Sequence, residues 1–239
     1  MNHPDIALIT GANKGIGFET ARQLAALGHT VILGARKAAE GQSAVASIGP
    51  QAHFLLLDMA SPESIQAAAQ SVFTQFGRLD ILVNNAGIGP ENGMKPSEAP
   101  MELIRQTFET NVFGLVQLTQ ALLPLLRQSQ HGRIVNVSSV LGSLTVNSDP
   151  NAELGSWRSF GYNGSKAAVN MFTATLAAEL KSTPIKVNSA HPGWVKTDLG
   201  GDQAPLEVAD GAKTSVRLAT LPDNGPTGGF FHFNDTLPW

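Results

Sequence analysis

A tyrosine and a lysine four residues apart, Tyr162 and Lys166, have the spacing in this sequence that most directly suggests chemistry. They stand at the head of a helical pattern that runs to Lys181, so both side chains lie on one face, one turn apart. A phenol with a pKa of about 10 is a poor acid-base catalyst at neutral pH. A cation held close to it favours the phenolate and lowers that pKa. An ordinary helix N-terminus has the same spacing, so the surrounding elements decide what it means.

A glycine-rich turn follows the first predicted strand, residues 5–10, which is short, apolar and rich in branched side chains. The turn reads Gly11-Ala12-Asn13-Lys14-Gly15-Ile16-Gly17 and leads into a helix from Phe18 to about Leu27. Glycine permits close backbone approach, and a helix N-terminus offers free N–H groups and a positive dipole end to a pyrophosphate. The spacing is T-G-x-x-x-G-x-G, and it lacks the Lys-Ser/Thr ending of a kinase-type P-loop. A tight strand-to-helix turn without a ligand is the alternative.

The second predicted strand, residues 29–35, ends at the basic pair Arg36-Lys37. About twenty residues past a glycine loop, a carboxylate would bind the ribose 2′-hydroxyl of NAD. A cation at this position suits the 2′-phosphate of NADP instead, and Lys14 in the loop adds a second positive charge. The pattern favours NADP(H) over NAD(H), with a solvated basic pair as the alternative.

The third predicted strand, residues 52–57, ends at Asp58-Met59. An aspartate just beyond the carboxyl end of a strand can accept a hydrogen bond from an adenine amino group. It can equally cap the helix that starts near Ser61. The residues alone leave both possibilities open.

Polar groups also follow the later predicted strands. Residues 81–83 lead into Asn84-Asn85-Ala86-Gly87, residues 134–137 end at Ser138-Ser139, and residues 185–190 end at His191-Pro192-Gly193. The carboxyl ends of parallel strands meet at one edge of a sheet, where ligands bind in open α/β folds. We therefore expect these groups to converge with the glycine loop and with the Tyr162 helix.

The order of elements predicts a single α/β domain over residues 1–239. Strands and helices alternate throughout, which indicates a doubly wound parallel sheet of about seven strands with helices on both faces. One long helical pattern, residues 101–128, contains Asn111, a mediocre helix former, and Pro124, which we expect to kink or interrupt it. Residues 140–160 are predicted to be a loop.

Composition excludes several other classes of protein. The net charge of -3 and the scattered Lys and Arg residues show no electrostatic footprint for nucleic acid or an anionic membrane. There is no cysteine, and the six histidines are scattered without a metal-ligand spacing, so we expect neither a disulfide framework nor a metal site. No segment has the run of about 20 apolar residues that spans a bilayer. Because the first strand starts near Asp5, we expect no signal peptide and a cytoplasmic protein.

Over nearly its whole length the sequence resembles the short-chain dehydrogenase/reductase superfamily, most closely its NADPH-dependent carbonyl reductases. The resemblance is carried by Thr10 to Gly17, Asn84-Asn85-Ala86-Gly87, Asn111, Val137-Ser138-Ser139, Tyr162-Asn163-Gly164-Ser165-Lys166 and Pro192-Gly193. It implies a single Rossmann domain in which NADPH supplies a hydride to the carbonyl carbon of an aldehyde or ketone.

The same resemblance implies a role for each matching residue. Tyr162 would protonate the carbonyl oxygen, Lys166 would lower its pKa and bind the nicotinamide ribose, and Ser139 would polarise the carbonyl. Asn111 would support a water relay from Lys166 to solvent. Besides Tyr162 and Lys166, the cofactor contacts would come from Gly11, Asn13, Lys14, Gly15, Ile16, Gly17, Arg36, Asp58, Met59, Asn85, Ala86, Gly87, Pro192, Gly193, Val195 and Thr197.

One departure from the family is the long interval between Ser139 and Tyr162. It indicates an inserted loop, whose Trp157 and Phe160 would shape the substrate pocket together with Leu141, Met94 and Trp194. Most relatives pair through the tyrosine-bearing helix, whereas some carbonyl reductases with a longer insertion are monomers, so monomer and homodimer both remain open. A short segment after Thr197 predicts a small lid over a permissive pocket for a small-molecule substrate.

Two other functions are compatible with parts of this pattern. An alcohol or steroid dehydrogenase would run the same chemistry in the oxidative direction. A regulator that senses NADP(H) without turnover would need the cofactor loop but would have no use for the set Ser139, Tyr162 and Lys166. The leading hypothesis is therefore a reductase.

Overall fold

The computed structural model describes residues 4–152 and 157–239, and its described strands form one eight-stranded sheet. The strand order is β3-β2-β1-β4-β5-β6-β7-β8, in which every neighbouring pair is parallel except β7 with β8. The strands are β1 (Ile6–Thr10), β2 (Thr30–Ala35), β3 (Ala52–Leu56), β4 (Ile81–Asn84), β5 (Arg133–Val137), β6 (Lys186–Ala190), β7 (Phe230–His232) and β8 (Asp235–Thr236). The doubly wound parallel fold is confirmed, and β8 is a short additional strand.

Helices cover both faces of this sheet. They are α1 (Gly15–Ala26), α2 (Ala38–Ile48), α3 (Pro62–Phe76), α4 (Met101–Phe108), α5 (Gly114–Leu126), α6 (Leu144–Ser148), α7 (Phe160–Glu179) and α8 (Val208–Ala219). One buried core joins the sheet to α3, α5 and α7, and a second joins it to α1, α2 and α8. Strand β1 serves both, because Leu8 points into the first core while Ala7 and Ile9 point into the second.

The long helical pattern before β5 is interrupted at Asn111 and not at Pro124. A π-helical turn, Glu109–Phe113, separates α4 from α5, and Pro124 lies inside α5 two residues before its end. The Asn111 side chain hydrogen-bonds the backbone of Ile88, which draws this part of the helix toward the loop after β4. A wide π turn of this kind is often found at functional sites.

The strand order places a crevice where the chain switches direction. Strands β1 and β4 are neighbours, and the chain proceeds from β1 to one side of the sheet and from β4 to the other. The carboxyl ends of β1, β4, β5 and β6 therefore open on one edge, at the position where open α/β sheets bind ligands.

Residues 140–160 contain more structure than the predicted loop. A 3₁₀ turn covers Val140–Gly142 and α6 follows it, each begun by a serine side chain that accepts a backbone N–H bond. Residues 153–156, which include Gly155 of the predicted loop, lie outside the described residues. Across 4–152 and 157–239, none of the helices has the length and apolar character needed to cross a membrane.

Candidate active site

The glycine loop joins β1 to α1 and leaves the N-terminus of α1 open. Gly11 and Gly15 adopt left-handed backbone conformations with φ of 63° and 58°. A Cβ atom on Gly17 would lie 2.4 Å from Asn85 Nδ2 and 2.5 Å from the Gly11 carbonyl oxygen, so only glycine fits there. The Lys14 side chain does not cap α1, and the first turn of α1 contains no acidic residue. This arrangement suits an anion such as a pyrophosphate.

The residues after β4 hold the glycine loop in place. Thr10 Oγ1 accepts hydrogen bonds from the backbone N–H groups of Asn85 (3.0 Å) and Ala86 (2.9 Å). Asn85 Nδ2 donates to the Thr10 carbonyl at 2.9 Å. The Asn85 side chain thus ties two strand ends together, a structural task that the sequence analysis did not anticipate for it or for Thr10.

Three cations were predicted near the 2′-phosphate, Arg36 and Lys37 after β2 and Lys14 in the glycine loop, and they differ in their partners. Lys14 is paired with Asp198, and Lys37 Nζ lies 2.8 Å from Glu40 Oε1. Arg36 is exposed, and within the described part of the chain it has no carboxylate partner. Its guanidinium is therefore the cation available to a phosphate.

Asp58 does not cap the helix that follows it, so the capping role that the sequence left open for this residue is wrong. Ser61 is the N-cap of α3, and its side chain accepts a 3.1 Å bond from the Ser64 N–H. Asp58 Oδ1 accepts from the Ala60 N–H at 3.0 Å, and the Asp58 residue remains partly exposed at the sheet edge. The Met59 side chain is buried in the core, so this residue has only its backbone to offer a ligand.

Ser139, Tyr162 and Lys166 line one pocket at the carboxyl ends of β5 and β6. Ser139 begins the 3₁₀ turn, and its Oγ accepts a 3.2 Å bond from the Leu141 N–H. Lys166 is buried, and its Nζ donates to the Val137 carbonyl at 2.8 Å and lies 5.8 Å from the centre of the Tyr162 ring. The structure therefore brings together the three side chains that the sequence singled out.

Burial sets the charge states of this group. It raises the pKa of Tyr162 to about 12, against the smaller lowering effect of the Ser139 hydroxyl. Burial also lowers the pKa of Lys166 to about 8. Desolvation has the largest effect on the phenol in this structure, and the lowering of its pKa by Lys166 stays a prediction. At neutral pH Tyr162 is a protonated phenol.

Asn111 connects the loop after β4 to α7. Its Oδ1 accepts from the Ile88 N–H at 2.8 Å, and its Nδ2 donates to the Ile88 carbonyl at 2.9 Å and to Ser165 Oγ at 3.0 Å. Ser165 Oγ in turn donates to the Tyr162 carbonyl at 2.7 Å. A Cβ on Gly87 would lie 3.4 Å from Lys166 Nζ and 3.5 Å from Asn111 Oδ1, so the lysine and the asparagine face the same small space. The water relay between them stays a prediction.

An aromatic wall bounds the outer part of the pocket, which has a volume of about 360 Å³. Trp157 and Trp194 meet edge to face with ring centres 6.2 Å apart, and Trp194 Nε1 donates to the Gly200 carbonyl at 2.7 Å. Leu141 also lines the pocket as predicted, and so does Leu199, which the sequence analysis missed. The predictions for Met94 and Phe160 were wrong: both are exposed and lie outside this lining.

The segment after β6 turns back over the same pocket. Gly193 makes the turn with φ of 87°, and a Cβ there would lie 2.4 Å from Leu206 Cδ1. Pro192, Gly193, Val195 and Thr197 all border the pocket, although the Val195 side chain is itself buried. The predicted cofactor residues of this segment thus line the same pocket as Tyr162 and Lys166.

Known proteins are similar to this chain in sequence and in fold. The sequence model of a family described as short chain dehydrogenase matches residues 5–206. A short-chain dehydrogenase of Penicillium roqueforti is 40% identical over 224 residues, which cover 90% of this chain and 88% of the relative. The structure of an NADPH-bound carbonyl reductase from chicken fatty liver has a TM-score of 0.87 at 29% identity, covering 100% of this chain and 96% of that one. A 3-ketoacyl-(acyl-carrier-protein) reductase from Brucella melitensis complexed with NADH has a TM-score of 0.84 at 27% identity, with 95% and 96% covered.

His191, which follows β6, makes the free energy of unfolding of the protein depend on pH. Its Nδ1 accepts from the Val140 N–H at 3.3 Å, and its ring centre lies 5.0 Å from that of His232. Burial, with a smaller effect of the His232 charge, lowers the pKa of His191 from 6.5 to about 3. Between these two values the unfolded chain binds the proton and the folded chain does not, so the free energy of unfolding falls as the pH falls.

We expect this residue to contribute a slope of up to about 1.4 kcal/mol per pH unit between pH 6.5 and pH 3. Urea unfolding of the wild type and of His191→Asn, whose amide oxygen can still accept from Val140, measures the contribution as the difference between the two curves. The free-energy advantage of the wild type should shrink as the pH is lowered. Parallel curves would show that His191 does not titrate with unfolding.

Proposed function

This chain belongs to the short-chain dehydrogenase/reductase family, and on that premise we propose that it reduces the carbonyl group of an aldehyde or ketone with NADPH. The observation that carries the proposal is the protonated phenol of the half-buried Tyr162, which lines one pocket with Ser139 next to the glycine loop. Both structural relatives described above are reductases of carbonyl groups by name.

The proposed reaction forms one C–H and one O–H bond. A bound NADPH would supply the hydride that adds to the carbonyl carbon. As the C=O π bond breaks, Tyr162 would give its hydroxyl proton to the carbonyl oxygen, and Ser139 would donate a hydrogen bond to the same oxygen. Both donors would be in place before negative charge develops on that oxygen, which is the condition for electrostatic stabilisation. The products are the alcohol, the oxidised cofactor and a tyrosinate that solvent reprotonates.

Lys166 would stabilise the phenolate that Tyr162 leaves behind. Its Nζ is fixed by the Val137 carbonyl on the side of the Tyr162 ring, and its pKa of about 8 keeps it mostly cationic at neutral pH. The positive charge is worth most after the proton has left the phenol, since the phenolate is then the charged form in a poorly solvated site.

We propose NADP(H) as the cofactor on the strength of Arg36. Structures with this fold bind either NADPH or NADH, so the fold itself leaves the choice open. The pyrophosphate would bind at the N-terminus of α1, and the 2′-phosphate would meet Arg36 beyond β2. Lys14 is held by Asp198 and would have to exchange that partner to reach a phosphate.

The pocket favours a neutral substrate with an apolar or aromatic substituent. Trp157, Trp194, Leu141 and Leu199 supply an apolar wall. The charged groups among the described lining residues already have assigned partners: the Glu91 carboxylate accepts two backbone N–H bonds, and Lys166 donates to Val137. A substrate carboxylate or phosphate would therefore lack a cation of its own in this pocket.

Replacement of Tyr162 by Phe tests the proton-donor role. Removal of the hydroxyl alone should lower kcat by about 10² to 10⁴-fold, because no other phenol can deliver the proton. NADPH affinity, measured by fluorescence titration, should stay within about twofold, since the ring and the glycine loop are unchanged. Turnover is followed as loss of NADPH absorbance with a panel of neutral aldehydes and ketones. The same panel, run with the wild type, identifies the substrates. Wild-type turnover by this variant would refute the assignment.

Replacement of Arg36 by Ala tests the choice of cofactor. Loss of a charged hydrogen bond to the 2′-phosphate should weaken NADPH binding roughly ten- to a hundredfold and leave NADH binding nearly unchanged. Lys37→Ala is the matched control, because the neighbouring lysine is paired with Glu40 and should affect neither cofactor by more than about twofold. Equal losses for NADPH and NADH in Arg36→Ala would contradict the phosphate contact.

A further inference from the structure

Glu91 places a fully buried carboxylate at the start of the helix that carries Tyr162. It lies in the loop between β4 and α4 and is 0% exposed. Its Oε1 accepts from the Gly161 N–H and its Oε2 accepts from the Tyr162 N–H, both at 2.7 Å. One carboxylate therefore holds two consecutive peptide groups of α7, and the second belongs to Tyr162 itself.

Helix α7 depends on this distant residue because it has no cap of its own. Its N-cap residue, Ser159, makes no side-chain capping bond. The first N–H groups of a helix have no partner within the helix, and a buried one left unpaired costs free energy. A carboxylate satisfies two of these groups and also interacts favourably with the positive end of the helix dipole.

Gly161 is the matching half of this contact. A Cβ atom at this position would lie 2.3 Å and 2.8 Å from the two oxygens of Glu91 and 2.6 Å from its carboxyl carbon. Gly161 is not among the residues with positive φ, so its backbone conformation suits any amino acid. The absence of a side chain at Gly161 is explained by the room that Glu91 needs.

The segment that carries Glu91 is itself fixed against the site. Ile88 is bound through both its N–H and its carbonyl by Asn111, and a Cβ on Gly89 would lie 3.1 Å from Cδ2 of the Tyr162 ring. After Glu91 the chain turns sharply through Asn92 and Gly93, with φ of 44° and 80°, and Met94 N–H donates to the Glu91 carbonyl at 3.0 Å. Glu91 therefore lies on a loop that is itself held in place, so its carboxylate can fix the position of the first turn of α7.

From this geometry we infer that Glu91 is a positioning residue for Tyr162. The Glu91 carboxylate fixes the position of the tyrosine relative to Ser139. Glu91 acts through the backbone of α7 and takes no part in proton or hydride transfer. The inference rests on the proposed function, because Tyr162 must be the proton donor for its placement to matter. It assigns to the loop after β4 a task in catalysis besides lining the pocket.

Asp80 provides a control for the purely structural effect of losing a buried carboxylate. It is 5% exposed and accepts a 2.9 Å bond from the Ile6 N–H and a 3.1 Å bond from Arg78 Nε. It lies immediately before β4, at the amino ends of the strands and therefore away from the pocket. Asp80→Asn should destabilise the fold without disturbing Tyr162.

The test compares Glu91→Gln with Asp80→Asn in single-turnover experiments with NADPH and a carbonyl substrate identified on the panel. The glutamine retains one oxygen but turns an NH₂ group toward a backbone N–H, so α7 shifts at its first turn. We expect Glu91→Gln to slow hydride transfer by about 10 to 100-fold, as for a small misplacement of a reacting group. NADPH affinity should remain within about twofold, and Asp80→Asn should transfer hydride at the wild-type rate.

Gly161→Ala provides a second route to the same answer if Glu91→Gln does not fold. It keeps the carboxylate but drives it away from α7, and the same slowing of hydride transfer is expected. In the double variant Glu91→Ala/Gly161→Ala the new methyl group no longer meets Glu91, so the two substitutions should be non-additive in unfolding free energy.

Two outcomes would overturn the inference. The first is a wild-type rate of hydride transfer in Glu91→Gln, or in Gly161→Ala if Glu91→Gln does not fold. The second is equal slowing of hydride transfer in the Glu91 and Asp80 variants. The second would trace the effect to general destabilisation. Tyr162→Phe separates this failure from failure of the proposed function. If Tyr162→Phe is inactive while the Glu91 variant is normal, only the positioning role falls; if Tyr162→Phe keeps the wild-type rate, both proposals fall.

Discussion

The desolvation of Tyr162 and Lys166 is the constraint on which the rest of the site depends. Burial opposes both charged forms, raising the pKa of the phenol to about 12 and lowering that of the ammonium to about 8. Such a pair is stable only where its remaining polar groups have partners. The chain supplies them from one strand end, the π turn and one loop: Val137 for the lysine, Asn111 through Ser165 for the Tyr162 carbonyl, and Glu91 for the Tyr162 N–H. The fold can be understood as the framework that brings these partners to one edge of the sheet.

The cofactor side of the crevice follows a different principle, because there the backbone is left open. Gly11, Gly15 and Gly17 clear the approach to the N-terminus of α1, while Thr10 and Asn85 fix the loop from behind. Around Arg36 the neighbouring cations are paired with Asp198 and Glu40. The chain thus combines a catalytic end whose polar groups are hydrogen-bonded with an open binding end that carries the exposed Arg36, and the switch point between β1 and β4 places the two side by side.

Much of this could be predicted from the sequence, since buried parallel strands and their polar ends leave a strong local signal. The strands, the doubly wound order and the convergence of Ser139, Tyr162 and Lys166 all followed from apolar runs and motifs. The tyrosine pKa could not, because it depends on burial, which no spacing encodes. Glu91 was missed because a single glutamate in a loop resembles a solvated one, and its partners lie 70 and 71 residues away. Met94 and Phe160 were misplaced for the same reason: apolar character does not specify which way a loop side chain points.

The central claim is that this site moves a hydride from NADPH to a carbonyl carbon. The most direct measurement supplies NADPH carrying deuterium at C4 of the nicotinamide, on one face at a time, with a mixture of neutral aldehydes and ketones, and analyses the products by mass spectrometry. The account predicts an alcohol with deuterium on its carbinol carbon, formed from one of the two labelled cofactors and absent with Tyr162→Phe. Alcohol without deuterium from either cofactor, or no alcohol from any carbonyl in the mixture, would contradict it.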